Sequence, residues 1–137
     1  MLLPKKIKHR KQHTPTLRRI TKRGDKLRFG KYGLKVLESS WISGRQLEAA
    51  RRAMTRFVQR EGKIWIRIFP DRPITKKGAE VPMGKGKGDV DHFVAVAHAG
   101  RIILEIDGVS EQIAREAIRL AGSKLSARSK IIIRQKH

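Results

Sequence analysis

A quarter of this chain carries more than half of its excess positive charge, and that asymmetry constrains what the rest can be. Residues 1–35 hold 13 Lys and Arg against one acid, Asp25, while residues 36–137 hold 20 against 11. Over all 137 residues the balance is 33 against 12, a formal +21. Such an excess repels itself in a compact free protein, which points to a polyanionic partner, above all nucleic acid. A membrane surface fits less well, because there is no long apolar run and no basic amphipathic anchor rich in Trp or Phe. Hydrophobic residues at 39% allow one domain with a modest core. Up to Leu27 there is little apolar periodicity, and Pro4 and Pro15 discourage helix. Residues 1–26 are therefore read as a basic arm that cannot order alone in water, and residues 27–137 as one body.

The chain has no cysteine, which removes disulfides, Cys-based zinc sites and a thiol nucleophile. The start MLLPKKIKHRKQH has two adjacent leucines before the lysines begin, too few for a secretory signal. No segment is long enough to span a bilayer. No cofactor, metal or homo-oligomer is expected.

The body reads as α+β: a mostly antiparallel sheet with two helices packed on it in two layers. LRFG (27–30) and YGLKVLES (32–39) are short strand-like pieces. In SWISGRQLEAARRAMTRFVQREG (40–62), Ser43 and Gln46 form the Ser-x-x-Gln version of a capping box, Ile42 and Leu47 are placed for a hydrophobic staple, and Gly62 is the expected stop. Leu47, Ala50, Met54, Phe57 and Val58 share the apolar side of that helix. Arg45, Arg52, Arg56 and Arg60 share the opposite one. Glu48 and Glu61 lie off the arginine side, so that side is read as facing a partner. KIWIRIF (63–69) alternates as a strand that Pro70 ends, with Ile64, Ile66 and Ile68 on one face and Lys63, Trp65, Arg67 and Phe69 on the other. HFVAVAH (92–98) and RIILEID (101–107) read as a hairpin about Ala99-Gly100. A second helix follows, capped by Ser110, with Glu111 at its positive end and Ile113, Ala117, Leu120 and Ala121 on its apolar side. KIIIRQ (130–135) is a last strand.

PMGKGKG (82–88) carries the motif question. A phosphate-binding loop of the G-x-x-x-x-G-K-[ST] kind needs a Ser or Thr for magnesium and a following helix. Here Asp89 and Val90 follow Gly88, and the next element is a strand. The G-x-G-x-x-G spacing fails as well. Glycine lets a backbone approach closely and lysine brings charge to phosphate, so the segment of about 75–91 reads as a basic finger reaching into RNA, with Lys76, Lys77, Pro82, Met83, Gly84, Lys85, Gly86, Lys87 and Gly88 as its functional residues. His9 and His13 sit among cations that would repel a metal, and are read as RNA contacts. His92 and His98 are read as strand residues at a sheet edge, and Asp89 and Asp91 as solvated turn formers. Trp41 and Trp65 are candidates for stacking on bases, with core packing preferred for Trp41. No nucleophile–base–orienter set is visible. With aromatics at 5%, binding rests on phosphate contacts and RNA shape, with strong salt dependence.

Several segments, taken in order, resemble one family: MLLPKKIKHRKQH, FGKYGLKVLE, SWISGRQLEAARRAMTR, GKIWIRIFPDRPITKK, MGKGKG and GVSEQIAREAIRLAGSKL. The family is the large-subunit ribosomal protein L-sixteen family of bacteria and organelles, related to eukaryotic L-ten, and the likeness covers nearly the whole chain. It implies a two-layer α+β fold, binding to large-subunit (23S-type) rRNA, late assembly, neighbouring large-subunit proteins, and a place near the aminoacyl-tRNA site and the peptidyl transferase centre. Aminoacyl-site tRNA, and peptidyl-site tRNA beside it, are the implied partners of the loop. The rRNA contacts implied are Lys5, Lys6, Lys8, His9, Arg10, Lys11, His13, Arg18 and Arg19 in the arm, and Arg45, Arg51, Arg52, Arg56 and Arg60 in the helix. One position departs: many members carry Arg where this chain has Pro82, a residue hydroxylated in some bacteria. The start matches without an extension, which implies no transit peptide and a bacterial or organelle-encoded origin, with the protein in the cytoplasmic ribosome in the first case. The alternatives are a general nucleic-acid architectural protein, which should bind duplex DNA as well as rRNA, and a nucleotide-binding enzyme built on the loop.

Overall fold

The computed structural model describes residues 2–6, 8–9, 11–12, 21, 23–76 and 86–135. Within them the chain runs β1 (Tyr32–Val36), β2 (Ser40–Ser43), α1 (Gly44–Val58), β3 (Lys63–Ile66), β4 (Arg72–Lys76), β5 (Asp89–Ala97), β6 (Ile102–Asp107), α2 (Glu111–Gly122) and β7 (Ser129–Ile133). This is the expected α+β class. The strands divide into two sheets, one of order β3-β6-β1-β7 and one of order β2-β5-β4, every pairing antiparallel.

That division corrects the expected hairpin. Ala99 and Gly100 do form a turn: the Arg101 N–H donates to the His98 carbonyl at 3.0 Å, and Gly100 has φ +94, a conformation open to glycine. The turn, however, passes the chain from β5 to β6 in the other sheet. It is tied to the end of β1, since Gly100 N–H donates to Val36 O at 2.8 Å and Val36 N–H to Arg101 O at 3.0 Å. The partner of β6 is β1, whereas β5 lies between β2 and β4. His92 lies on the central strand β5 but beyond β2, which pairs only with Val94–Ala97, so its ladder partner is Ile74 of β4.

In the four-stranded sheet, Tyr32, Leu34, Ile64, Ile66, Leu104, Ile106 and Ile131 fall on one face by the registers of the ladders. They join α1 and α2 in a single core with Leu47, Ala50, Met54, Ala117 and Ile118. α2 packs on β1 and β7, and on α1; α1 also packs on β2, β3 and β5. Because α2 is covered from two directions, its buried stripe is Ala114, Ala117, Ile118 and Ala121. Ile113 and Leu120, expected inside, are half-buried.

The opposite face of that sheet, carrying Gly33, Trp65 and Glu105, is crossed by the segment Leu27–Gly30. This segment was expected as a strand. It makes no ladder there, because its N–H groups turn to a side chain. Space for it comes from glycine: a Cβ at Gly33 would lie 2.5 Å from Leu27 Cδ2, and one at Gly30 would lie 2.7 Å from Ile106 O. The helix stop also differs. α1 ends at Val58, with Gln59 and Arg60 in the left-handed region at φ 52 and 68. Gly62, φ +72, serves the turn into β3, where a Cβ would meet Asp107 O at 2.5 Å. β3 ends at Ile66, although Arg67 N–H still donates to Ile103 O at 2.8 Å.

Candidate nucleic-acid interface

The first part of the site is set by the start of α1. Ser43 Oγ accepts from Gln46 N–H at 3.2 Å and Gln46 Oε1 accepts from Ser43 N–H at 3.0 Å, the full capping box. Ile42 and Leu47, the staple pair, are both fully buried. This fixes the rotation of the helix: Leu47, Ala50, Met54 and Val58 go inside, and Arg45, Arg52, Arg56 and Arg60 are exposed. Phe57 departs from the expected apolar side. It is 40% exposed, lying at the margin of the stripe beside Ile113 and Arg119 of α2.

The arginines are not all unpaired. Glu48, whose side chain is 14% exposed, sits between Arg51 and Arg52, with Arg52 Nε 3.3 Å from its Oε1 and Arg51 Nη2 on the same oxygen. The hydrogen bond from Arg51, with the charges of Arg51 and Arg52, holds the Glu48 carboxyl below its usual range against the opposing effect of burial. Glu48 thus reaches the arginine side it was expected to miss, because long side chains at i+3 and i+4 converge on it. Arg45, Arg56 and Arg60 have no acid partner among the described residues. Arg45 opens on a groove of about 640 Å³ shared with Leu3 of the arm and Asp91 and His92 of β5.

The second part joins arm and loop. Lys11 Nζ donates to Lys87 O at 3.1 Å and lies 3.9 Å from Asp89 Oδ1. Lys87 Nζ donates to Gln12 O, and Arg72 Nη1 donates to Gln12 Oε1 at 2.8 Å. The arm is thereby laced to the base of the glycine loop and to β4. Lys5, Lys6, Lys8, His9, Lys11, Lys76, Gly86 and Lys87 are exposed, and Gly88 is half-buried. Gly86 has φ +93 and open space where a Cβ would be. Arg10, His13, Arg18, Arg19, Lys77, Pro82, Met83, Gly84 and Lys85 lie outside the described residues.

The third part was not found by sequence reasoning. Glu105 is fully buried on β6. Its Oε1 accepts from the N–H groups of Arg28, Phe29 and Gly30 at 2.9, 2.9 and 3.0 Å. Its Oε2 lies 3.2 Å from Arg67 Nε, an ion pair without hydrogen-bond alignment. Arg67 Nη1 in turn donates to Lys26 O at 2.6 Å. Arg101 donates to Arg23 O and Arg67 O, both at 3.3 Å, and burial, aided by the like charge of Arg67, lowers its pKa. The junction of arm and body is thus pinned by one carboxylate. Its signal in the sequence was Glu105, an acid set between Leu104 and Ile106 in the run RIILEID.

Among the described residues no group of three or more His, Asp or Glu is placed to hold a metal. Asp91 bonds His92 Nδ1 at 2.8 Å on the surface, and Asp89 meets Lys11. Trp41 is half-buried on β2. Among the described residues no helix is long and apolar enough to cross a membrane.

These features define a basic α+β protein with its chemistry in surface charge. The family profile of ribosomal protein L16p/L10e matches residues 4–132. The large ribosomal subunit protein uL16 of Parabacteroides distasonis is 54% identical over 135 residues, covering 98% of this chain and 94% of that protein. The large ribosomal subunit protein uL16 of Porphyromonas gingivalis is 54% identical over 134 residues, covering 98% and 93%. The chain belongs to the ribosomal protein L16p/L10e family. It is a structural, non-enzymatic protein of the large ribosomal subunit, and the relatives named above are bacterial large-subunit proteins.

Proposed function

We propose that the chain binds large-subunit (23S-type) rRNA through the arginine side of α1 and the basic arm, and carries its glycine loop to the aminoacyl-site tRNA near the peptidyl transferase centre. The observation that supports this best is the exposed row Arg45, Arg52, Arg56 and Arg60, of which Arg52 alone has an acid partner among the described residues. Unpaired guanidinium groups held on a rigid helix suit phosphates. On this reading residues 1–26 are the segment that rRNA orders, and residues 27–137 are the body that seats it. Lys5, Lys6, Lys8, His9, Arg10, Lys11, His13, Arg18, Arg19 and Arg51 add phosphate contacts. The loop residues Lys76, Lys77 and Pro82–Gly88 face tRNA, at the aminoacyl site and next to the peptidyl site. Joining late, the protein helps to order the aminoacyl-tRNA site beside neighbouring large-subunit proteins.

The test is sedimentation of tagged protein from lysate through sucrose gradients at low and high salt. Co-migration with the large subunit at salt that strips loose basic proteins is expected. Protein left at the top, or released with bulk DNA, would overturn the reading in favour of a general architectural role. For the loop, Lys85→Ala with Lys87→Ala should impair aminoacyl-tRNA binding to purified ribosomes while the melting temperature holds. Unchanged tRNA binding would remove the loop from the site.

A further inference from the structure

Phe29 is 49% exposed, yet its backbone is tied to the interior of the molecule. Its own N–H and those of Arg28 and Gly30 are fastened to the buried Glu105 carboxylate at 2.9–3.0 Å. Its ring stacks on Trp65, centroids 5.9 Å apart and planes inclined by 20°. A cation lies over each ring: Arg67 Cζ is 5.8 Å from the Phe29 centroid and the exposed Lys63, whose Nζ is 5.4 Å from that of Trp65, can swing aside for a base. Arg28, next to it in the strap, and Lys31, just after the strap, are exposed. Trp65 stands on β3, an edge strand of the four-stranded sheet, so an approaching chain has access to this corner.

A single exposed aromatic is ordinary on a protein surface; what sets Phe29 apart is a backbone fixed at three consecutive N–H groups and a ring stacked on a second aromatic. Here a fully buried carboxylate holds it outward. We infer that the Phe29–Trp65 pair is a stacking platform for an unpaired nucleobase of the bound RNA, with the exposed Lys63, Arg28 and Lys31 receiving the adjacent phosphates. The occupant follows from charge and shape together. Flat π-faces ringed by cations suit a single-stranded nucleotide, since any base offers a face to stack. A duplex keeps its bases stacked inside and meets the same cations through its backbone alone. An acidic protein segment would satisfy the cations and leave the rings unused. The inference rests on the rRNA-binding reading and adds to it a class of contact, base stacking, at a corner distinct from the arginine side of α1.

The experiment compares the affinity of the full chain for a short oligouridylate and for an RNA duplex of equal length, with ultraviolet crosslinking of the oligouridylate to wild-type protein. Phe29→Leu should weaken oligouridylate binding about tenfold and leave the duplex unchanged, Phe29→Tyr should bind as wild type, and crosslinks should map to Phe29 or Trp65. Equal weakening of both probes, or crosslinks only elsewhere, overturns the platform, and the crosslink is independent of any folding defect in the variant. If wild type binds both RNAs and Phe29→Leu changes neither, the platform falls and the rRNA reading stands. If wild type binds neither, both fall. If RNA binding is unchanged but the variant no longer enters the large subunit, the patch seats a neighbouring protein and the inference is overturned.

Discussion

Glu105 shows how one residue decides a junction. Burying a carboxylate is tolerated when it is hydrogen-bonded and paired; here three N–H groups bond Oε1 and the charge of Arg67 faces Oε2. Glu105→Ala strands those donors and leaves Arg67, 12% exposed, without its counter-charge. The expected loss is about 3–5 kcal/mol, read by urea denaturation; a loss under about 1 kcal/mol would mean that water replaces the carboxylate. Glu48 bears on pH instead. Its carboxyl is held below the usual value of 4.5 by Arg51 and Arg52. A depressed folded pKa gives stability that is present above the unfolded value and lost as pH falls through the folded one. Wild type should therefore lose stability below about pH 4.5 more steeply than Glu48→Gln. The difference should stay under about 1 kcal/mol, because the arginines are largely solvated. Parallel acid unfolding curves for the two proteins would exclude it.

At the scale of elements, the capping box and the apolar spacing of α1 are local, and both were readable as written. The limit of local reading is seen at Phe57, which satisfies the helical wheel and yet lies outside, since the wheel does not know where α2 ends its cover. The clasp between arm and loop belongs to this scale as well. Lys87 bonds Gln12 O, and Lys11 bonds Lys87 O. Such exposed bonds contribute about 1 kcal/mol. Lys87→Ala should accordingly speed limited trypsin cleavage in the first dozen residues of the free protein, by roughly fivefold, with no change in global melting. An unchanged cleavage rate would mean that the clasp adds nothing to the order of the arm.

For the whole molecule, net charge governs association more than fold. Binding to rRNA fragments should weaken steeply with salt, and Arg56→Ala should lower the slope of log affinity against log salt by about one phosphate contact while the melting temperature stays put, since Arg56 is exposed and outside the core. A variant with unchanged slope would take Arg56 out of the interface.

The charge asymmetry, the absence of cysteine, the two amphipathic helices with their caps, and the failure of the glycine loop as a nucleotide motif were all set by the sequence. Each depends on residue type and spacing within a turn or two of chain. The assignment of β5 and β6 to different sheets, the conversion of Leu27–Gly30 from strand to strap, and the role of Glu105 were decided by the tertiary structure. They depend on partners as distant as Phe29 and Glu105, 76 residues apart, and on which neighbour wins a hydrogen bond once both are brought together. Periodicity records which side of an element is apolar. It carries no information on what will lie across from it.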